Sequence, residues 1–219
     1  MKIITVKKVL VINASARKTQ SHSRALTEIF VNHWRKEYQD AVLTMRELGT
    51  TNVPHINEDW IAANYKPVAE RTNRELEILG ASNAYIDELR QADIIVLGTP
   101  MYNWSIPSAL KAYIDQVLRH NETFAIDPAN PANPYIGLLQ NKILLLLVAR
   151  GLQGYETGEQ NASLNFQTTY LKTVFNMMGI DDIRMVAVDG TSLDKEALKN
   201  TIEQAHQQVR SVIAGIKQS

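Results

Sequence analysis

The sequence predicts an α/β fold, an open, doubly wound, five-stranded parallel sheet with helices on both faces. Three observations predict it. Apolar runs at Val9–Asn13 (VLVIN), Ile94–Leu97 and Lys142–Ala149 (KILLLLVA) are continuous rather than alternating, as strands buried on both faces require. Segments whose apolar residues recur every three or four positions lie between the strand candidates. Strand and helix alternate along the chain, the pattern that right-handed crossovers between parallel neighbours produce.

The amino-terminal stretch MKIITVKKVLVINAS has too short an apolar run for a signal-peptide core or a spanning helix, and reads as the first strand. Ala25–Tyr38 follows as a helix on Leu26, Ile29, Phe30 and Trp34, and Ala41–Leu48 (AVLTMREL) alternates as a more exposed strand would. Residues 49–72 contain Pro54, Trp60, Tyr65 and Pro67 without clean periodicity, so a long loop with room for one short helix is expected there. Asn73–Leu89 returns to helical spacing before the buried run at Ile94. Pro107–Leu118 is a strongly amphipathic helix, with Ile106, Leu110, Tyr113, Ile114, Val117 and Leu118 on one face. Residues 121–141, rich in Pro and Asn, read as a hairpin-like insertion outside the alternation. After Lys142–Ala149 come a helix at 161–178, a strand at 182–188 and a helix at 193–216. With 219 residues, no internal repeat and no interdomain linker, residues 1–219 are expected to form a single domain with that insertion.

The hydrophobic share of 45% against 21% charged residues is that of an ordinary folded chain. Lys plus Arg (23) balances Asp plus Glu (23), so no global field draws the protein to nucleic acid or an anionic membrane. Cysteine is absent, which excludes disulfides, thiolate metal sites, Cys-ligated clusters and cysteine nucleophiles. A cytoplasmic location is expected.

Ligands of open parallel sheets bind beyond the carboxyl ends of the strands, where strand order reverses. Three loops lie there. The first, Asn13–Arg24 (NASARKTQSHSR), has no glycine and matches neither glycine-rich phosphate motif. Ser15, Ser21 and Ser23 could instead enclose one terminal phosphate together with helix amides, or Ser21 or Ser23 could simply cap the helix. His22 reads as a residue presenting its backbone amide, and no metal site is expected. In the second loop, Gly98–Pro107, the prolines and Ser105 are explained by strand end and helix start. Met101, Tyr102, Asn103 and Trp104 are not, because such side chains on an exposed turn leave apolar area in water unless a flat ligand covers it. The third loop, VARGLQGYETG, carries Arg150, Gly151, Gly154 and Gly158.

These loops make the sequence resemble the FMN-dependent NADH-azoreductases, flavodoxin-like quinone reductases. The likeness rests on VINASARKTQSHS, PMYNWSIPSALKAYIDQVLRHNETF and VARGLQG, in that order. It implies strand order 2-1-3-4-5, an FMN phosphate among Ser15, Ser21, His22 and Ser23, and an isoalloxazine ring against Met101, Tyr102, Asn103 and Trp104. Arg150 and Gly151 stand where relatives carry the third-loop flavin contacts, with Ala149 and Leu152 replacing the family's serine and second glycine. The family is homodimeric with a shared pocket, so Phe124, with the 121–141 insertion, and Leu152 are candidates for the substrate side.

FMN would carry the chemistry, with no catalytic side chain required. NADH or NADPH would donate hydride and a quinone or azo compound would accept two electrons in a ping-pong cycle; no basic residue is placed at a 2′-phosphate, which favours NADH. The rivals are a flavodoxin-type electron carrier, whose usual acidity this neutral chain lacks, and a noncatalytic flavin-binding regulator. A phosphatase on a similar scaffold would need a cysteine.

Overall fold

The computed structural model describes residues 7–216. Residues 1–6, the start of the stretch read as the first strand, lie outside the described residues.

The strands are β1 (Lys8–Asn13), β2 (Val42–Glu47), β3 (Ile94–Pro100), β4 (Phe124–Ile126), β5 (Tyr135–Gly137), β6 (Ile143–Ala149) and β7 (Asp182–Val188). Five of them form one sheet in the order β2-β1-β3-β6-β7, every pair parallel. This is the expected order once the hairpin strands β4 and β5 are counted. The helices are α1 (His22–Glu37), α2 (Glu58–Tyr65), α3 (Asn73–Ile78), α4 (Gly80–Gln91), α5 (Ser108–Val117), α6 (Thr168–Met177) and α7 (Lys195–Ile216). None is long and apolar enough to cross a membrane.

The period of two along each central strand sorts its side chains between two cores. Val9, Val11, Ile94, Val96, Leu145 and Leu147 meet α1 and α7 through Phe30, Trp34, Val209 and Ile213. Leu10, Ile12, Ile95, Leu97, Leu144 and Leu146 meet α4, α5 and α6 through Ile86, Tyr113 and Phe175. The apolar runs are therefore continuous because both faces are covered. At the edge, β2 keeps an exposed pattern.

Three expectations change in detail. The helix expected over Asn73–Leu89 is two, broken at Leu79, whose ψ of −3° departs from helical geometry just before Gly80. The helix expected from 161 is a single 3-10 turn at Ala162–Leu164 followed by α6 from Thr168, whose amide donates to the Asn165 carboxamide oxygen at 3.0 Å. Ser105 does not cap α5; Pro107 holds that position without a side-chain bond. The insertion is an antiparallel β4–β5 hairpin. Since α5 descends from the carboxyl end of β3 and β6 rises after the hairpin, the hairpin stands at the amino edge of the sheet, pinned by Leu139 N–H to the Met178 carbonyl (2.7 Å).

Within residues 49–79 Trp60 is buried with Ala63 and Leu79, and its indole N–H donates to Gln116 Oε1 at 2.8 Å. Within that segment α3 carries a capping box: the Thr72 hydroxyl accepts from the Glu75 amide, and Glu75 accepts from the Thr72 amide at 2.7 Å. The Thr72 amide, the Lys66 ammonium and the Thr72 hydroxyl together hold the Glu75 carboxyl down at about 2. Thr72→Ala is expected to lower stability by about 1 kcal/mol, read as a lower urea midpoint at unchanged slope. A folded-state pKa below the ordinary value contributes stability above the usual carboxylate range, and that contribution disappears as pH falls toward the depressed value. Thr72→Ala removes only the hydroxyl's share of that depression, so the gap between wild type and variant should narrow slightly between pH 5 and about 2. Both proteins keep most of the pH dependence through the amide at position 72 and Lys66.

Candidate cofactor site at the carboxyl edge of the sheet

The carboxyl ends of β1, β3, β6 and β7 open onto a common cavity of about 340 Å³. Strand order makes the place: the chain steps outward from β1 to β2 and then returns across β1 to β3. After Asn13 the chain runs in a loop to Ser21, which lies in extended conformation and accepts from the Arg24 amide through its hydroxyl at 3.4 Å. Ser21 thus caps α1, as one reading of the sequence expected. Capping leaves other donors over: among the described residues no acceptor takes the amides of His22 or Ser23, the first of α1. Gly98 lets α1 sit this close to the sheet, because a Cβ there would lie 2.4 Å from Thr27 Cγ2.

The cavity is lined by Ser15, Arg17, Gln20, Ser21, His22 and Ser23 from this loop and by Pro100, Met101 and Tyr102 from the second. Ala149 and Gly151 come from the third, Thr191 and Ser192 from a fourth. Ser15 and Ser23 are almost wholly buried, at 2% and 1% exposure, and the Ser21 and Ser23 hydroxyls lie 3.3 Å apart. Hydroxyls, an arginine and a helix N-terminus meet here, and no carboxylate lines the cavity. That donor set suits an anion.

The second loop has a conformation that composition did not reveal. Tyr102 and Ser105 exchange both backbone hydrogen bonds at 3.0 Å, and between them Asn103 and Trp104 have φ of 48° and 63°. Two successive positive φ values make this a type I′ turn, which glycine or asparagine adopts readily and tryptophan does not. Strain of roughly 1–3 kcal/mol per such residue is held where the turn meets the cavity. The geometry also assigns the amides: Met101 N–H goes to Ala149 and Tyr102 N–H to Ser105, whereas those of Asn103 and Trp104 have no acceptor among the described residues. Tyr102 and Asn103 continue into a neighbouring, more apolar hollow of about 840 Å³ with Ile106, Phe166 and Tyr170.

A model of a family described as having a flavodoxin-like fold matches residues 7–213 of this chain. The chain belongs to that flavodoxin-like family. It is 36% identical over 205 residues to the FMN-dependent NADH:quinone oxidoreductase of Hydrogenovibrio crunogenus, covering 94% of this chain and 98% of the relative. It is 32% identical to FMN-dependent NAD(P)H:quinone oxidoreductase 1 of Pseudomonas aeruginosa, covering 92% and 96%. Among solved structures, an azoreductase from Bacillus anthracis is similar with a TM-score of 0.85 at 24% identity, over 94% of this chain and 98% of that one. An FMN-dependent NADH-azoreductase from the same species, solved with FMN, has a TM-score of 0.84 at 24% identity, over 96% and 99%. At that identity the structural likeness speaks for the fold.

In this flavodoxin-like chain the cavity brings together Ser15, Ser21, His22, Ser23, Met101, Tyr102 and Gly151 of the expected residues, with Asn103 beside them. Four others stand elsewhere. The Arg150 side chain lines a separate acidic hollow with Glu156 and Asp189. Its guanidinium is 1% exposed, forked onto Asp189 at 2.6 and 2.8 Å and bonded to Glu156 at 2.8 Å. Burial opposes that charge and the two carboxylates outweigh it, leaving Arg150 more basic than usual. Trp104 is half exposed and lines neither cavity, its carbonyl accepting from Phe166 N–H at 3.1 Å. Leu152 is exposed and lends its carbonyl to Gly190. Phe124 packs against His120 and Tyr135 in the hairpin, at the sheet edge opposite the cavity.

Sequence reasoning missed Arg17, Gln20, Thr191 and Ser192 as lining residues. The rule that selected three strand-end loops also selects VDGTS after β7, whose Thr191 and Ser192 amides bond to the Arg150 and Gly151 carbonyls at 3.1 and 3.0 Å. Applied to the last strand, it would have found them.

Proposed function

We propose that this chain is an FMN-dependent oxidoreductase that uses NADH or NADPH to reduce quinones and azo compounds, built as one flavodoxin-like domain. The observation that carries it is the donor set at the start of α1. Buried Ser15 and Ser23, the Ser21 hydroxyl and two free helix amides converge on one end of a cavity whose other end is Met101 and Tyr102. These residues fit FMN: the hydroxyls, the amides of His22 and Ser23 and the Arg17 cation would hold its phosphate, and Met101, Tyr102 and Asn103 would border its ring. Gly151, Thr191 and Ser192 would close the third side.

FMN, when bound, supplies the two-electron exchange between the nicotinamide and the acceptor. The protein's part is positioning and charge. The unpaired amide of Asn103 is fixed in direction by the I′ turn, so with FMN bound it would donate to negative charge developing beside it without reorganising. No acidic side chain in the cavity opposes such charge. We assign no side chain a proton-transfer role and place the enzyme in the cytoplasm.

A homodimer is part of the proposal. Phe124 cannot reach the cavity of its own chain from the opposite edge, so a role for it in the substrate pocket requires a second copy. Trp104 at 51% exposure and Phe166 at 58% leave apolar surface beside the cavity for that copy to cover.

Protein loaded with FMN should be yellow, and anaerobic NADH should bleach its absorption band, with quinone restoring it. A bound flavin that NADH and NADPH both leave oxidised would favour a carrier or regulator instead.

A further inference from the structure

We propose that Arg24, in ion pair with Glu47, is a positioning residue that sets the phosphate specificity of this site without touching the cavity. The inference rests on the FMN reading above and adds to it the residue that shapes the serine loop.

Arg24 lies one residue beyond Ser23, on the first turn of α1, but neither it nor Glu47 lines the cavity. All of its guanidinium nitrogens are occupied. Nε donates to the Arg17 carbonyl at 2.7 Å, Nη2 to the Ser15 carbonyl at 2.7 Å, and Nη1 and Nη2 to Glu47 at 2.5 and 2.6 Å. One planar fork thus holds two carbonyls of the loop and anchors them to the end of β2. The hydrogen-bonded Glu47 carboxylate keeps Arg24 more basic than usual. Glu47 is itself fixed, taking the Gly49 amide at 3.0 Å.

The consequence follows from peptide geometry. In a planar trans peptide the N–H points opposite to the C=O. With the Ser15 and Arg17 carbonyls drawn toward Arg24, the amides of Ala16 and Lys18 face the other way, and the Arg17 amide is bound by the Ser15 hydroxyl at 3.2 Å. A loop without glycine has no intrinsic preference for this arrangement. Arg24 imposes it from behind, and keeps the Ser15 side chain at the cavity wall. A lysine would keep the charge near the phosphate and lose the fork.

The test compares FMN with riboflavin, which has the same ring and no phosphate, by fluorescence titration of the full chain and of Arg24→Lys, Arg24→Gln and Glu47→Gln. Positioning predicts FMN binding weakened at least tenfold in both Arg24 variants and severalfold in Glu47→Gln, with riboflavin affinity changed less than twofold. An Arg24→Lys protein that binds FMN like wild type would overturn the proposal, since charge alone would then suffice. Equal losses for FMN and riboflavin would also overturn it, showing a general disruption. Hydrogen exchange serves where an Arg24 variant folds poorly: Glu47→Gln should speed exchange at Ala16 to Lys18 and leave the rest of α1 protected, and unchanged exchange there would sink the idea. Failure of the wild-type chain to bind FMN at all would instead refute the functional reading on which this one stands.

Discussion

Gly49→Ala is expected to cost the protein most of its affinity for FMN, at least tenfold. Gly49 follows β2, and its backbone runs directly behind the serine loop, donating to the Asn13 carbonyl at 3.2 Å and to Glu47 at 3.0 Å. A Cβ at this position would lie 2.0 Å from the Ser15 carbonyl oxygen and 2.3 Å from its carbonyl carbon. Those atoms are backbone, and no rotamer change relieves the overlap. Either the Ser15 peptide moves, taking its hydroxyl off the cavity wall, or the end of β2 retreats and carries Glu47 away from Arg24. Both displacements reach the phosphate end, and overpacking of this kind also lowers stability by roughly 1–3 kcal/mol. Titration of flavin fluorescence reads the first effect and urea unfolding the second. Native FMN affinity in a folded Gly49→Ala protein would show that Ser15 does not bind the phosphate.

Arg150→Met is expected to lower stability by about 3 kcal/mol, because it removes a fully enclosed cation and strands its carboxylates. Asp189 holds the guanidinium through two bonds and is the better-shielded partner; Glu156 is more exposed, adds less, and is relieved by water when the pair is broken. Tyr155 loses the cation stacked 5.2 Å from its ring centre. For a chain of this length about 3 kcal/mol corresponds to a fall in melting temperature of roughly 6–12 °C. The double variant Arg150→Met with Asp189→Asn should recover part of that loss, since the unpaired charge is the main penalty. A melting temperature within a degree of wild type would show that the cluster contributes nothing. Because Arg150 and Gly151 also receive the Thr191 and Ser192 amides, weaker flavin binding should accompany the loss.

Much of the fold was legible because double burial leaves a mark that needs no context. Leu144, Leu145, Leu146 and Leu147 can sit in one run only if alternate residues meet different cores, and they do. Helices with a strong apolar stripe, such as α5, were equally clear. Boundaries set by local bonds and backbone angles were not: the Asn165 bond to the Thr168 amide where α6 starts, and the break at Leu79, leave the three-to-four-residue spacing intact. Of the residues lining the cavity and the hollow beside it, the serines and Met101 to Asn103 could be found because polar or aromatic side chains sat at strand ends, where ligands bind. Arg150 misled for the same reason. It stands at a strand end, yet its side chain satisfies carboxylates 6 and 39 residues away along the chain.

By itself the sequence determined the sheet, its covering helices and the edge at which a ligand would lie, since hydrophobic period and connection rules are local properties of the chain. Only the tertiary structure decided which strand-end residues face the cavity. It bent Asn103 and Trp104 into left-handed backbone, turned Arg24 and Arg150 to partners distant in sequence, brought in Thr191 and Ser192 from the loop after β7, and set Phe124 at the far edge. Direction is the physical reason: a motif names a side chain and its position, and the hydrogen bonds that aim it come from segments which the motif does not contain.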